Sequence, residues 1–598
     1  MASMRRQAAT VTIIFLLLFL AATALSFLRP ARSEKISQTT AQAADIVLLN
    51  GKIITVDAKD SIAQAVAIAG GKIVAVGSND AVKSRVGAST RVIDLHGRTA
   101  TPGLIDTHLH FDGTSLLYEL DLSYPAVKSI NDVLAKIKEK VATLKLGEWV
   151  RGRGWDEGKL AELRYIYASD LDRVSPNNPV YLTHTTGHYA ATNSYALKLA
   201  GVTKDTANPR AGTIDRHADG TPSGVLKEGA TGLVGRLVPR STAEQQRNGL
   251  VKMVEELNKE GMTAVKDPQI GAGKWDQYKE LLSQDKLTVR TFILWQQPRS
   301  VEAAQQLIDR VGSFTKPYQG DGRLISGGVK IHLDGSGGAR TAWMYQDWNK
   351  NFKEKDTGNV GYPTLEPETF RQMVRLFHQA GIHVSTHAIG DRGIDWTIDT
   401  YAEVLKEKPT RGLRHAISHC NTPTDHAINL MAELQKKYDA GYPEAQSTFL
   451  WWLGDNYAGN LGPERSLRLM PFKTYLNKGI LWGGGSDYSV TPFAARYGIW
   501  ASISRKPLQG SYGPNPFGSA EAIDVHSALR SYTIWAARQL FLEDKIGSIE
   551  VGKEADIAVW DRDLYRIPTD QIKEMKCELT LFGGRIVHQA AGSPITMR

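Results

Sequence analysis

The chain has 598 residues, 42% hydrophobic and 23% charged, a balance that excludes a disordered or fibrous polymer and allows a large core in more than one structural unit. Its formal charge of +9 is less basic than it looks, because Arg5, Arg6, Arg29, Arg32 and Lys35 against Glu34 supply a net four of it within residues 1–43. The remaining charge of about +5 gives no footprint for a nucleic-acid partner.

The N-terminus carries Arg5-Arg6, an apolar run from about Val11 to Leu28 and then Arg29-Pro30. A positive segment followed by an apolar one reads as an export signal over residues 1–28, with Ala22-Thr23-Ala24 or Ala41-Gln42-Ala43 as small-residue cleavage sites. The run is long enough to keep an uncleaved membrane anchor as the alternative. Either way the expected location is outside the cytoplasm, periplasmic or secreted, with a membrane tether in the second case. Residues 29–43 are a polar tether. Cys420 and Cys577 are too few to imply a disulfide framework and read as two unpaired thiols.

From residue 44 the pattern is β-rich. Ala44–Val56 reads as two short strands turning at Asn50-Gly51, and Ala65–Gly77 as a second hairpin turning at Gly70-Gly71. The C-terminal end has matching segments: Ile546–Ile549, Ala555–Trp560, and a hairpin over Leu579–Val587 with Gly583-Gly584 at its turn. Strands this short are marginal alone, so residues 44–100 and 541–598 are expected to pair into one small β-sandwich. The middle, residues 101–540, is then an inserted domain.

Within it, apolar β-rich runs alternate with helical patterns, as a parallel β/α architecture requires. The runs begin at Thr101, Gly261, Val289, Gly328, His383, Arg414, Ala445 and Ile480, which is the number that closes a (β/α)8 TIM barrel. This count leaves Pro179–His184 out of the barrel, inside an insertion of about residues 120–245. Between the strands, Glu366–Ala380 is helical by period, with Phe370, Val374, Phe377 and His378 on one stripe and Gly381 ending it.

The first of these runs ends in His108-Leu109-His110. Alternate residues on a strand face the same way, so the two imidazoles can hold one ion between them. Barrel sites lie at the C-terminal ends of strands. That rule prefers His387 over His383 on strand five and His419 over His415 on strand six, and it places Asp487 at the exit of strand eight. On strand four Lys330, His332 and Asp334 share a face, and any of them could point inward. A buried lysine is costly when charged and unpaired; one reason for it would be conversion of the neutral amine by carbon dioxide to a carbamate. His217, His378, His426, His526 and His588 read as surface or packing residues.

Pro102–His110, Val329–Ser336, His387–Arg392 and Gly485-Ser486-Asp487 together resemble the amidohydrolase superfamily, within it the amidohydrolase-3 group of YtcJ-like and N-substituted formamide deformylase-like proteins, over about residues 44–590. The resemblance implies a site for two divalent metal ions, with zinc the expected metal. His108 and His110 would lie on one ion, the Lys330 carbamate between the two, His387 and His419 on the second, and Asp487 on the first. It also implies a shared hydroxide as nucleophile, Asp487 as the proton carrier, and hydrolysis of a non-peptide C–N bond in a small amide-type substrate. Ser418 and Asn421 depart from the Glu and Gln common around the strand-six histidine, and Tyr488-Ser489 departs from the usual continuation of strand eight; neither removes a ligand. Gly154–Glu157 and Thr185–His188 resemble family motifs in the insertion, so Trp155 and His188 are candidate substrate contacts. Trp451, after the seventh run, is a third, suited to an apolar substituent. The alternatives are a lactonase or esterase on the same barrel, or a catalytically silent binding protein, which would have lost ligands. The expected assembly is a homo-oligomer.

Overall fold

The computed structural model describes residues 43–311, 316–317 and 322–598. The expected signal or anchor segment and nearly all of the tether lie outside the described residues. Among the described residues no helix is long and apolar enough to cross a membrane.

Eight parallel strands form the central sheet: Leu104–Asp106, Met262–Ile270, Arg290–Trp295, Leu324–His332, His383–Ala388, Ala416–His419, Tyr442–Ala445 and Gly483–Gly484. Neighbours pair in chain order, the sequence pattern of a right-handed β/α barrel. Strands eight and one meet through the Thr107 amide, which donates to the Gly484 carbonyl at 3.0 Å, and the Asp487 amide, which donates to the His108 carbonyl at 2.7 Å. Gly485 permits this approach, because a Cβ there would stand 3.0 Å from Asp106 Oδ1 and 3.1 Å from the His108 nitrogen. The helix after strand four runs Pro367–Gln379 and buries Phe370, Val374, Phe377 and His378, with Gly381 at φ +73° just beyond it.

The two chain ends interleave in two sheets. One orders Thr596–Met597, Arg91–Asp94, Ile46–Leu49, Ala65–Ala69 and Lys72–Gly77; the other orders Arg585–Gln589, Cys577–Phe582, Ile557–Trp560, Thr99–Pro102, Lys52–Ile54 and Ile62–Ala63. Leu48, Ile53, Val66, Ile557, Leu579 and Leu581 fill the space between them. The hairpins at Gly70-Gly71 and Gly583-Gly584 form as the sequence indicates.

Asn50-Gly51 does not make a hairpin. The strand before it pairs with Ala65–Ala69 and Arg91–Asp94, while the strand after it joins the opposite sheet. The Asn50 backbone is left-handed (φ +55°), as in a tight turn, but here the turn carries the chain between layers. Ile546–Ile549 is likewise not a strand, although the Ile549 amide donates to the Thr55 carbonyl at 2.8 Å. Strand seven begins three residues earlier than the sequence reading placed it, at Tyr442, and Phe449–Trp452 is already helical. Pro443 hides this strand from a pattern-based reading, because proline in a run argues against a central strand.

The insertion builds its own six-stranded sheet between Leu120 and Glu228, and Val180–His184 belongs to it, outside the barrel. Its core packs Trp155, Leu182 and Val225 against the helix Ile130–Val141.

Candidate active site

At the C-terminal ends of the barrel strands lies a cavity of about 480 Å³. His108, His110, Lys330, His387, His419 and Asp487 all line it, together with His188, Glu228 and Arg153 from the insertion and Gln269 and His332 from strands two and four.

Strand one delivers His108 and His110 just past its last paired residue. Asp106 fixes that exit: its Oδ1 accepts the His108 amide at 2.8 Å and its Oδ2 accepts the Ser486 hydroxyl at 2.6 Å, tying strand one to the residue before Asp487. Asp487 Oδ1 then stands 3.4 Å from His108 Nε2 and 3.2 Å from His110 Nε2. Burial pushes the Asp487 carboxyl up, but these two imidazoles outweigh it and hold the group well below the usual carboxylate range. His419 and Asp487 both have left-handed backbones, φ +73° and +54°. Non-glycine residues accept that conformation rarely, and histidine and aspartate more readily than most.

Ring centroids of His387 and His419 are 4.3 Å apart. The Gly335 carbonyl lies 2.9 Å from His387 Nε2, which fixes that ring's tautomer and leaves Nδ1 for the site. Burial holds both imidazoles well below their ordinary range, so they are neutral, as ligands must be. His419 Nδ1 is buried without a hydrogen-bond partner among the described residues and lies 3.9 Å from Asp487 Oδ2. Ligand atoms of His108, His419 and Asp487 fall within 4.8 Å of one another. Unpaired nitrogen and carboxylate donors converging on one cavity suit a divalent cation such as zinc.

Lys330 points inward from strand four, 1% exposed, with Nζ 3.2 Å from His108 Nε2. Desolvation lowers its ammonium to about 8, so roughly a tenth of it is neutral amine at pH 7. His332 lines the cavity too, stacked on His387 at 4.8 Å and contacted by the Gln269 amide. Asp334 does not reach the cavity: its carboxylate accepts the backbone amides of Trp343, Ile389 and Gly390 at 3.0, 3.1 and 2.9 Å. The inward positions of strand four are therefore Lys330 and His332.

Beneath the cluster, wholly buried Lys266 on strand two pairs with wholly buried Glu444 on strand seven. Glu444 Oε2 also accepts the hydroxyls of Ser385 and Ser418, at 2.7 and 2.9 Å, and lies 4.0 Å from His108 Nδ1. Ser418, a departure in the sequence, thus supports a carboxylate that arrives from another strand. Outer partners of this kind fix the orientation of ligating histidines. The late placement of strand seven concealed Glu444 in the sequence.

His188 lines the cavity from the insertion side. Its ring lies 5.3 Å from His387 and its Nδ1 2.9 Å from Glu228 Oε2. Burial alone would lower its pKa, yet the Glu228 carboxylate raises it above the usual value. Trp155 and Trp451, the other two candidate contacts, lie outside the cavity lining. Trp155 is fully buried in the insertion, its indole N–H donating to the Leu182 carbonyl at 3.0 Å, and Trp451 packs among Trp452, Tyr497 and Trp500; neither lines the cavity. Both large rings are held by neighbouring aromatic and apolar groups. Cys420 and Cys577 are buried and unpaired.

The amidohydrolase family profile matches residues 91–588. The chain belongs to the amidohydrolase family. YtcJ of Bacillus subtilis (strain 168) is 27% identical over 514 residues, which span 85% of this chain and 92% of YtcJ. The N-substituted formamide deformylase of Arthrobacter pascens is 27% identical over 566 residues, 92% of this chain and all of that protein. A metal-dependent hydrolase of unassigned role from Pyrococcus horikoshii OT3 superposes with a TM-score of 0.67 at 23% identity, covering 88% of this chain and 99% of its own. That likeness concerns the fold alone.

Proposed function

We propose that this amidohydrolase cleaves a non-peptide C–N bond of the N-substituted amide or formamide type at the cavity described above. The observation that carries the reading is the convergence of His108, His110, Lys330, His387, His419 and Asp487 on one cavity, with buried donor atoms left unpaired. Two divalent cations held there, zinc being the fitting choice, would supply Lewis acidity toward a carbonyl and a hydroxide nucleophile near neutral pH.

The chain's own groups divide the remaining work. Asp487, 6% exposed between two imidazoles, takes a proton from water in the cavity and returns it to the leaving nitrogen, which must be protonated to depart. His188, whose protonated form the Glu228 carboxylate favours, stands on the insertion side of the cavity, where its ring can donate to the amide oxygen. Lys330 acts as a carbamate: burial lowers its ammonium toward the neutral amine, the form that adds carbon dioxide, and the product is an oxygen ligand suited to divalent cations.

Lys330→Ala tests this. Metal content measured on the purified variant and turnover of an N-formyl amine should fall together, activity by at least ~10²-fold, the scale of losing one key electrostatic contact. Acetate or propionate should restore part of both. If Lys330→Ala keeps its metal and near-normal turnover while His332→Ala loses both, His332 is the strand-four ligand. Turnover of lactones without any amide would sink the C–N reading.

A further inference from the structure

Resting on that reading, the geometry points to a substrate class: we propose that the preferred amide carries a carboxylate, as an N-acyl amino acid does, and that Arg153 receives it. Arg153 lies on the insertion strand Val150–Trp155, is half-buried, and faces the same cavity as the candidate ligands. No hydrogen bond or ion pair engages its guanidinium among the described residues. The other charged groups of the cavity have neighbours of their own: Lys330 Nζ lies 3.2 Å from His108 Nε2. Glu228 holds His188 and Thr341, and Asp487 holds His108 and His110. Asp112 is exposed and accepts the Thr114 amide.

A half-buried guanidinium without an anion is unfavourable, and its planar fork of donors matches a carboxylate through two parallel hydrogen bonds. One cation in this position suits a monoanion better than a phosphate dianion. The wall around it agrees, because Val490 is the one apolar side chain lining the cavity among the described residues. An aromatic or long alkyl substituent would find little to pack against there, whereas a compact polar acyl amino acid of this size fits a cavity of about 480 Å³.

The test uses metal-replete protein and matched substrates, N-formylalanine against N-formylpropylamine. Wild type should favour the anionic substrate by about 10- to 100-fold in kcat/KM, the range of a charge-assisted hydrogen-bonded contact. Arg153→Gln should remove that preference mainly through KM, and Arg153→Lys should keep part of it. Binding is read separately by calorimetry with butyrate against butyramide. Tighter binding of butyrate that depends on Arg153 supports the carboxylate site even if neither amide is turned over, in which case the amide reading of the site is what falls. Equal or better use of the neutral amide by wild type, or a preference that survives Arg153→Gln, overturns the inference and leaves the hydrolase reading standing.

Discussion

Among the described residues two clusters bring three metal-type side chains within ligand range, His108, His419 and Asp487 at the barrel mouth and Asp156, Glu157 and His184 in the insertion. Their chemistry differs in what already occupies the lone pairs. In the insertion, Glu157 accepts the Tyr189 hydroxyl at 2.8 Å and the Asn456 amide at 3.2 Å, while His184 Nδ1 accepts the Thr186 amide at 3.1 Å. A cation is present as well, for Lys159 Nζ lies 3.1 Å from Asp156 Oδ2. At the barrel mouth, His419 Nδ1 has no partner and the donors face open space. Residue type alone does not make a metal centre; unoccupied donors around a cavity do.

The largest expected effect breaks this contrast most directly. His419→Ala should lose metal, measured by elemental analysis, and at least ~10²-fold in turnover. His184→Ala should keep the wild-type metal content, its cost appearing as lowered stability. Equal metal loss in both variants would erase the distinction.

Next in size is the support under the barrel cluster. Glu444→Ala leaves Lys266 buried and unpaired, which costs about 3–5 kcal/mol in denaturant unfolding. Combining it with Lys266→Met should recover most of that stability, because the unpaired charge is removed. Metal affinity in the double variant should nevertheless stay about 10–100-fold below wild type, the usual cost of removing an outer partner of a ligand. Recovery of both would make the pair purely structural.

The smallest effect concerns the insertion. Trp155→Phe removes the hydrogen bond to the Leu182 carbonyl and should cost about 1–2 kcal/mol of stability, with KM for the amide unchanged. A raised KM at unchanged stability would return Trp155 to the cavity wall.

The barrel was legible because its signals are local. Strand runs of five to ten residues separated by helical periods can be counted, and the rule that sites sit at strand exits picks His387 over His383, whose Nδ1 lies instead 3.1 Å from the Leu413 carbonyl. His378 and His415 likewise contact each other at 2.9 Å, away from the cavity. What the sequence concealed is non-local. Asn50-Gly51 carries the same dipeptide whether the flanking strands pair or part, and only the partners Ala65–Ala69 and Thr99–Pro102 decide it. Arg153 and Glu228 reach the cavity because the insertion folds back over the barrel, a placement that no spacing encodes. Trp155 and Trp451 show the converse, since a large aromatic near a motif satisfies core packing as readily as ligand contact.

The interleaved sandwich bears on the order in which the protein can be made. Thr99–Pro102 runs directly into the strand that presents His108, yet it is flanked on one side by Lys52–Ile54 and on the other by Ile557–Trp560. A chain emerging from the ribosome has the first neighbour almost at once and the second only after the whole barrel has been synthesised. Until then this strand offers an unpaired backbone edge to any other nascent chain. The segment that closes the edge beside the active-site strand is therefore among the last made, so a synthesis pause in the barrel leaves that edge open.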